Sequence, residues 1–312
     1  MMKKVGICFS KDLQGQDPLG HIVTKIRVYL RLLDLMQKEG WEAYVLTRKT
    51  YKGGGIFDGG WQYRDGNFSL TKERIKIDLV YDRTGGIFFP PENDSLEVVN
   101  KRQFKILCWD KWATYKEIGG YMPATFLIES ENDIPAILPK IKTEKVVLKP
   151  YNGLKGVGVF IGRKSDALGF HFPEKYQRYI AQEFVDTTSG IPGITSGMHD
   201  LRVAVINGKA VWCHVRVPKK GTFTANAAQG GTLTEVDYEK VPSAIKNIVS
   251  EVSKKFTERY DNPIYSLDFG INSDGNPLIF EINDQIGFPK WEMKNRDKFL
   301  NALVDNFKSR LK

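Results

Sequence analysis

Cysteine is scarce. The chain of 312 residues holds three, Cys8, Cys108 and Cys213, far apart and with no C-x-x-C pair. That spacing excludes a disulfide framework and suits reduced thiols in a cytosolic compartment. Cys8 and Cys213 sit in apolar runs, so both are expected as buried structural residues. A long hydrophobic run is also missing. The apolar stretch after the basic Met1–Lys4 segment is only Val5 to Phe9, too short for a signal core or a membrane span, and a soluble, cytoplasmic chain is expected. Lysine and arginine exceed Asp and Glu by a net charge of +9, yet no run of five or six basic residues occurs. A nucleic-acid tail is therefore not expected; scattered positive charge suits an anionic small substrate or a polyphosphate nucleotide. Neither internal repeats nor low-complexity tracts are found. No Gly-Lys-Ser/Thr opens a helix, which rules out a Walker loop, and no Ser/His/Asp grouping suggests nucleophilic catalysis.

Apolar residues are 41% and aromatic residues 12% of the chain, enough for a sizeable core in two domains or one composite body. Val5–Phe9 reads as a buried strand. Helical spacing of Ile22, Ile26, Leu30, Leu33 and Met36 predicts a helix over 21–39, stopped by Gly40, and 41–46 reads as a second strand. Strand, helix and strand at this length make a βαβ unit with a parallel sheet. Residues 51–68 read as loops or a hairpin, 77–81 as a strand, and the segment to about 105 closes the first domain. Further on, 109–119 reads as a helix, then 122–126 as the entry to a strand. A short helix follows at 134–140, with strands at 146–149, 157–161 and 179–184. Asn207-Gly208 between apolar runs signals a hairpin. An amphipathic helix is expected over 242–260, a second hairpin over 264–282, and a last helix from about Asp297.

Four constellations carry chemistry. In the first, Asp268 lies inside an apolar strand, and Glu281 and Asn283 lie on its hairpin partner, two residues apart and so on one face. Two carboxylates and an amide oxygen converging in a buried hairpin form a hard-cation set of the kind magnesium uses beside phosphates. In the second, Lys149 ends a strand before a turn holding Asn152, Gly153, Lys155, Gly156 and Gly158, where backbone N–H groups and lysine charge can meet phosphate oxygens. Third, Gln182, Glu183, Phe184, Val185 and Asp186 end a strand in a form that can read an adenine edge and hold a ribose. Fourth, Arg202 and Arg216 occupy strand positions of one hairpin, followed by Asn226 and Gly230-Gly231, and suggest an anion site. Either arginine alone reads better as a snorkelling surface residue; the two together, preceding the acidic hairpin, favour the anion site.

The order of these parts resembles the ATP-grasp superfamily. Arg216, Gly221, Asn226 and Gly230-Gly231 look like the ribosomal-protein glutamate ligases and glutathione synthetases. Leu79–Arg83, Asp110-Lys111, the segment from Met122 and Leu148–Pro150 resemble the endospore coat-associated ATP-grasp family. The resemblance covers about residues 78–290. It implies a composite α/β fold: a Rossmann-like N-terminal domain over 1–105 and an ATP-grasp domain over 106–312, with a lid at about 121–185. It also implies roles. Lys111 and Lys149 would contact ATP phosphates, the 152–158 loop would cover them, and 183–186 would hold adenosine. Asp268, Glu281 and Asn283 would bind magnesium, as two ions, while Arg216, Asn226 and nearby Arg202 would face the reacting phosphate or carboxylate. The implied activity is ADP-forming ligation of a carboxylate, on a small molecule or peptide, to an amine, through an acyl phosphate. A kinase on the same fold and a non-catalytic ATP-binding, spore-associated protein are the alternatives. On this reading, removing Asp268 or Glu281 abolishes turnover and leaves the fold intact. The Gly-rich 52–66 segment has no counterpart in these families.

Overall fold

The computed structural model describes residues 2–12, 17–153, 156–219 and 231–311. The chain opens with β1 (Lys4–Phe9), a short 3-10 turn (Gly20–Lys25), α1 (Ile26–Lys38) and β2 (Glu42–Thr47). It continues through β3 (Tyr51–Gly53), β4 (Ile56–Arg64), β5 (Asn67–Lys76), β6 (Leu79–Arg83) and β7 (Glu97–Val99). These strands form one sheet in the order β3-β4-β2-β1-β6-β7, with β5 added on β4. β1 pairs in parallel with β2 and β6, and β6 with β7. Val5 to Phe9 are all buried, as a central parallel strand covered on both faces requires. Residues 51–68, read as loops or a hairpin, hold β3, all of β4 and the start of β5, and the β4–β5 hairpin runs on to Lys76. Its turn is Asp65-Gly66, with φ of 48° and 83°, the left-handed pair that a two-residue hairpin favours. The neighbouring glycines obscure that signal in the sequence.

A helix not expected from the sequence, α2 (Arg102–Trp109), comes first, the helix expected at 109–119 follows as α3 (Lys111–Ile118), and the two break at Asp110. Its extended backbone ends the first helix, and its Oδ1 accepts the N–H groups of Trp112 and Ala113, both at 2.9 Å, starting the second. A second sheet then forms from β8 (Thr125–Ile128), α4 (Ile134–Ile137), β9 (Lys145–Pro150), β10 (Phe160–Arg163), α5 (Lys164–Ala167) and β11 (Tyr179–Glu183), its strands ordered β10-β9-β11-β8. β10 starts at Phe160 and not at Val157, because Gly156 and Gly158 take φ of 73° and 76° and prolong the turn.

The last part contains β12 (Asp200–Ile206), β13 (Lys209–Val217), β14 (Thr232–Val236), α6 (Ser243–Arg259), β15 (Tyr265–Ile271), β16 (Pro277–Asn283) and α7 (Arg296–Arg310). Its strands make a third, antiparallel sheet ordered β14-β13-β12-β15-β16. Asn207 and Gly208, with φ of 54° and 67°, turn β12 into β13. One face of this sheet packs on α2, α3 and α6. On the other, Ala204, Ile206 and Trp212 share a core with Phe299, Leu303 and Phe307 of α7 and with α1 and β1. Each fully buried phenyl there contributes about 1.5–3 kcal/mol of transfer free energy. The C-terminal helix thus ties the first sheet to the third. Among the described residues, no helix is long and apolar enough to cross a membrane.

The Asp110 cap positions α3 and its first residue, Lys111. Asp110→Ala should lower stability by roughly 1 kcal/mol in urea denaturation, and Asp110→Asn, which keeps the cap oxygen, by less. An unchanged midpoint in the alanine variant would contradict the cap assignment.

Candidate active site

Alternation along four antiparallel strands brings the charged side chains together. Arg202 faces Asp268 and His214 in register, Arg216 faces Asp200, Asp268 faces Glu281, and Ser266 faces Asn283. Asp268 is the centre and is buried. Arg202 donates to it from Nε at 2.6 Å and from a terminal nitrogen at 2.5 Å. Arg216 adds a bond at 2.8 Å, and the Asn283 amide nitrogen a longer one at 3.3 Å. Arg216 also holds Asp200 with two nitrogens. Burial alone would raise the Asp268 pKa, but the two guanidinium groups outweigh it and hold the carboxyl well below the usual range. Asp200 is pushed the other way, upward, by burial and by the charge of Asp268. Burial, then Arg202 and Arg216, lower His214 to about 3, so its ring is neutral.

The hairpin is not regular. Asp268 pairs with Glu281 but Phe269 pairs with Ile279, so Phe280 is an extra residue in a bulge. Its carbonyl accepts from Lys149 Nζ at 3.1 Å, which joins the second sheet to the third. Gly270 makes room for the Phe280 ring; a Cβ there would collide with it.

Lys149 also donates to Gln182 Oε1 at 2.9 Å, and Gln182 Nε2 donates to Thr125 Oγ1 at 2.8 Å. Lys111 Nζ donates to the Gly153 carbonyl at 2.7 Å and lies 3.2 Å from Glu281 Oε1. Burial, reinforced by Lys111 and opposed by Glu281, lowers Lys149 to about 8. Four cations, Lys111, Lys149, Arg202 and Arg216, therefore face three carboxylates, Asp200, Asp268 and Glu281. The surplus positive charge surrounds a cleft of about 390 Å³ between the second and third sheets, within the range of small-molecule sites.

Most expected site residues line this cleft: Lys111, Lys149, Gly153, Gly156, Gln182 to Val185, Arg202, Arg216, Asp268, Glu281 and Asn283. Asn152 and Gly158 do not. Gly158 instead gives its carbonyl to the Tyr179 hydroxyl at 3.0 Å. Asp186 is exposed and accepts the Thr188 N–H at 2.9 Å, and Glu183 accepts the Lys142 N–H at 2.9 Å. Both carboxylates thus have backbone partners of their own. Lys155, Gly221, Asn226 and Gly230 lie outside the described residues.

Several lining residues were given no role from the sequence, although His199–Arg202 was noted as a motif. Asp200, the partner of Arg216, is two positions before Arg202, and period-two alternation places it on the same face. Val147, Ile161, Met198 and Phe280 supply apolar walls, which only the packing of two sheets reveals. His199 braces the link from β11 to β12: its backbone exchanges two 3.1 Å bonds with Thr187 Oγ1, and its Nε2 accepts the Ile271 N–H at 3.4 Å.

Two sheets that grip one cleft define the ATP-grasp architecture, and solved structures agree. D-alanyl-alanine synthetase A from Vibrio cholerae superposes with a TM-score of 0.65 at 13% identity, over 99% of this chain and 98% of that one. A RimK domain ATP-grasp protein from Sphaerobacter thermophilus does so with a TM-score of 0.60 at 16% identity, over 97% and 98%. Residues 104–305 match the family model of the RimK-like ATP-grasp domain, and the chain belongs to that family. A probable alpha-L-glutamate ligase of Legionella pneumophila is 25% identical over 194 residues, 61% of this chain, and the match spans 59% of that relative's length.

The pairing changes what a substitution at Asp268 does. The carboxylate holds two buried guanidinium groups, so its loss affects the fold as well as the site. Asp268→Ala should lower unfolding stability by roughly 3–5 kcal/mol, because two charges are left unpaired. Glu281→Ala, whose side chain is one-third exposed, should lose less than about 1 kcal/mol. Equal losses in chemical denaturation would refute the distinction.

Proposed function

We propose that the chain is an ADP-forming ligase that joins a carboxylate to an amine, using ATP and magnesium. The observation that carries this reading is the convergence of Lys111 and Lys149 with the Arg202–Asp268–Arg216 cluster across one cleft. The family membership and the naming of a relative as a glutamate ligase support it.

In this mechanism an oxygen of the acid's carboxylate attacks the γ-phosphorus of ATP, and ADP leaves with the bond electrons. The amine nitrogen then attacks the acyl carbon of the mixed anhydride; phosphate leaves and the nitrogen gives up a proton. Lys149 and Lys111 hold the triphosphate, and the apolar walls Val147, Ile161 and Phe280 enclose the base. Arg216, exposed on one side to the cleft, orients the carboxylate and neutralises charge that develops as phosphate transfers. Its own orientation is held by Asp200 and Asp268. Gly153 and Gly156 line the cleft, and the glycine-rich segment they belong to would keep water from the anhydride. The reaction needs no nucleophilic side chain.

Asp268, Glu281 and Asn283 suit magnesium. Their oxygens are hard donors, and because the Asn283 amide turns its nitrogen to Asp268, its oxygen stays available. Bound there, the ion would supply charge neutralisation at phosphate oxygens.

Glu281→Gln should reduce magnesium-dependent ADP release by at least about a hundredfold with unfolding stability preserved. Release at the wild-type rate would remove the metal assignment. Lys149 gives a pH test. Its folded pKa is lowered to about 8, so it carries its charge below that pH and loses it above. ATP affinity, measured by calorimetry, should therefore weaken as pH rises through about 8, with proton uptake on binding, and Lys149→Arg should flatten the profile. A wild-type affinity unchanged across this range would exclude a direct role for Lys149.

A further inference from the structure

Arg83 takes no part in the site described so far. It ends β6, paired with Phe9 of β1, at the carboxyl edge of the parallel strands, where α/β sheets take ligands. The residue lies deep but is only half-buried, so one side stays open. Its guanidinium sits 5.4 Å from the ring centroids of both Tyr81 and Phe288. One nitrogen donates to the Tyr81 hydroxyl at 3.3 Å, and another bond goes to Tyr29.

A guanidinium has five N–H donors and here meets only hydroxyls and ring faces. Among the described residues no carboxylate lies within 4.0 Å of it, and the stretches 13–16, 154–155 and 220–230 contain no Asp or Glu. The field of Asp284 reaches Arg83, but that carboxylate stands beyond ion-pair distance and accepts from Gln285 at 3.2 Å. A cation at this depth with no counter-charge is costly unless an anion arrives.

Further unsatisfied polar groups lie on the third sheet. Ser266 Oγ, His214 Nδ1 and Trp212 Nε1 are buried with no hydrogen-bond partner among the described residues. Their residues are 0%, 3% and 3% exposed. All three lie on the face of the third sheet that carries Arg202 and Asp268. A chain of ring contacts connects them to Arg83: Trp212 to Phe299 at 6.0 Å, Phe299 to Phe288 at 5.2 Å, and Phe288 to the guanidinium. Asp284, whose charge acts on Arg83, directly follows Asn283.

We propose that Arg83 anchors a carboxylate of the substrate other than the one that reacts, and so selects substrates that carry it. The proposal rests on the ligase reading. The carboxylate can belong to a dicarboxylic acid substrate or to an amino acid serving as the amine, and the experiment separates these sources. In the acid arm, L-glutamate and 4-aminobutyrate, which differ by one carboxylate, are compared with hydroxylamine as the amine. In the amine arm, glycine and glycinamide are compared with an acid accepted in the first arm. Wild-type protein should prefer the carboxylate-bearing member in one arm. Arg83→Gln and Arg83→Met should raise KM for that member by roughly ten- to hundredfold, leave KM of its partner unchanged, and so erase the preference. No wild-type preference in either arm, a preference that survives both variants, or equal losses for both members of a pair would overturn the role of Arg83 and leave the ligase reading standing. No ADP release from wild type with any probe would remove the ligase reading and the anchor with it.

Discussion

One carboxylate organises the site. Asp268 is buried in the middle of β15 and shares its two oxygens among Arg202, Arg216 and Asn283. Without it, two guanidinium groups on neighbouring strands would repel each other in a medium of low polarisability. With it they lie close together, and Arg216 can face the cleft with its plane set by Asp200 and Asp268. A positioned cation of this kind needs no reorganisation when negative charge develops beside it.

The surrounding architecture serves that arrangement. β12, β13, β15 and β16 alternate, so one face of the third sheet is a packed apolar layer and the other carries the charges. The Phe280 bulge breaks the alternation once, and the freed carbonyl receives Lys149 from the opposite sheet. Lys111 reaches Glu281 from the start of a helix set by its own cap. Each contact crosses from one structural unit to another. The cleft is thus a junction held by charge, with apolar cores behind both walls.

Much of this was legible in the sequence, for identifiable reasons. Asp268, Glu281 and Asn283 stand out because charges interrupt apolar strands, and a period of two then assigns their face. Asn207-Gly208 marked its hairpin because few residues accept that backbone. Other features depend on tertiary context. Asp110 looks like a helical residue until the chain direction changes around it. Glycines between residues 53 and 60 left loops and a hairpin as open alternatives, although the Asp65-Gly66 turn is ordinary. The partners of Arg202 and Arg216 were not assigned, since an arginine in a strand carries no mark of whether its counter-charge is a side chain or a ligand. Glu183 and Asp186 were read as ligand contacts; Asp186 also accepts a backbone N–H two residues on, and Glu183 one from Lys142, 41 positions earlier, contacts that composition does not specify.

The central claim is that this cleft transfers phosphate from ATP to a carboxylate oxygen before an amide forms. The most direct measurement follows that oxygen. With a carboxylic acid substrate labelled with 18O in its carboxylate, the proposed chemistry transfers one labelled oxygen to the phosphate released with each ADP, detectable by mass spectrometry or by the 31P isotope shift. Released phosphate free of label, alongside normal ADP formation and amide product, would contradict the account.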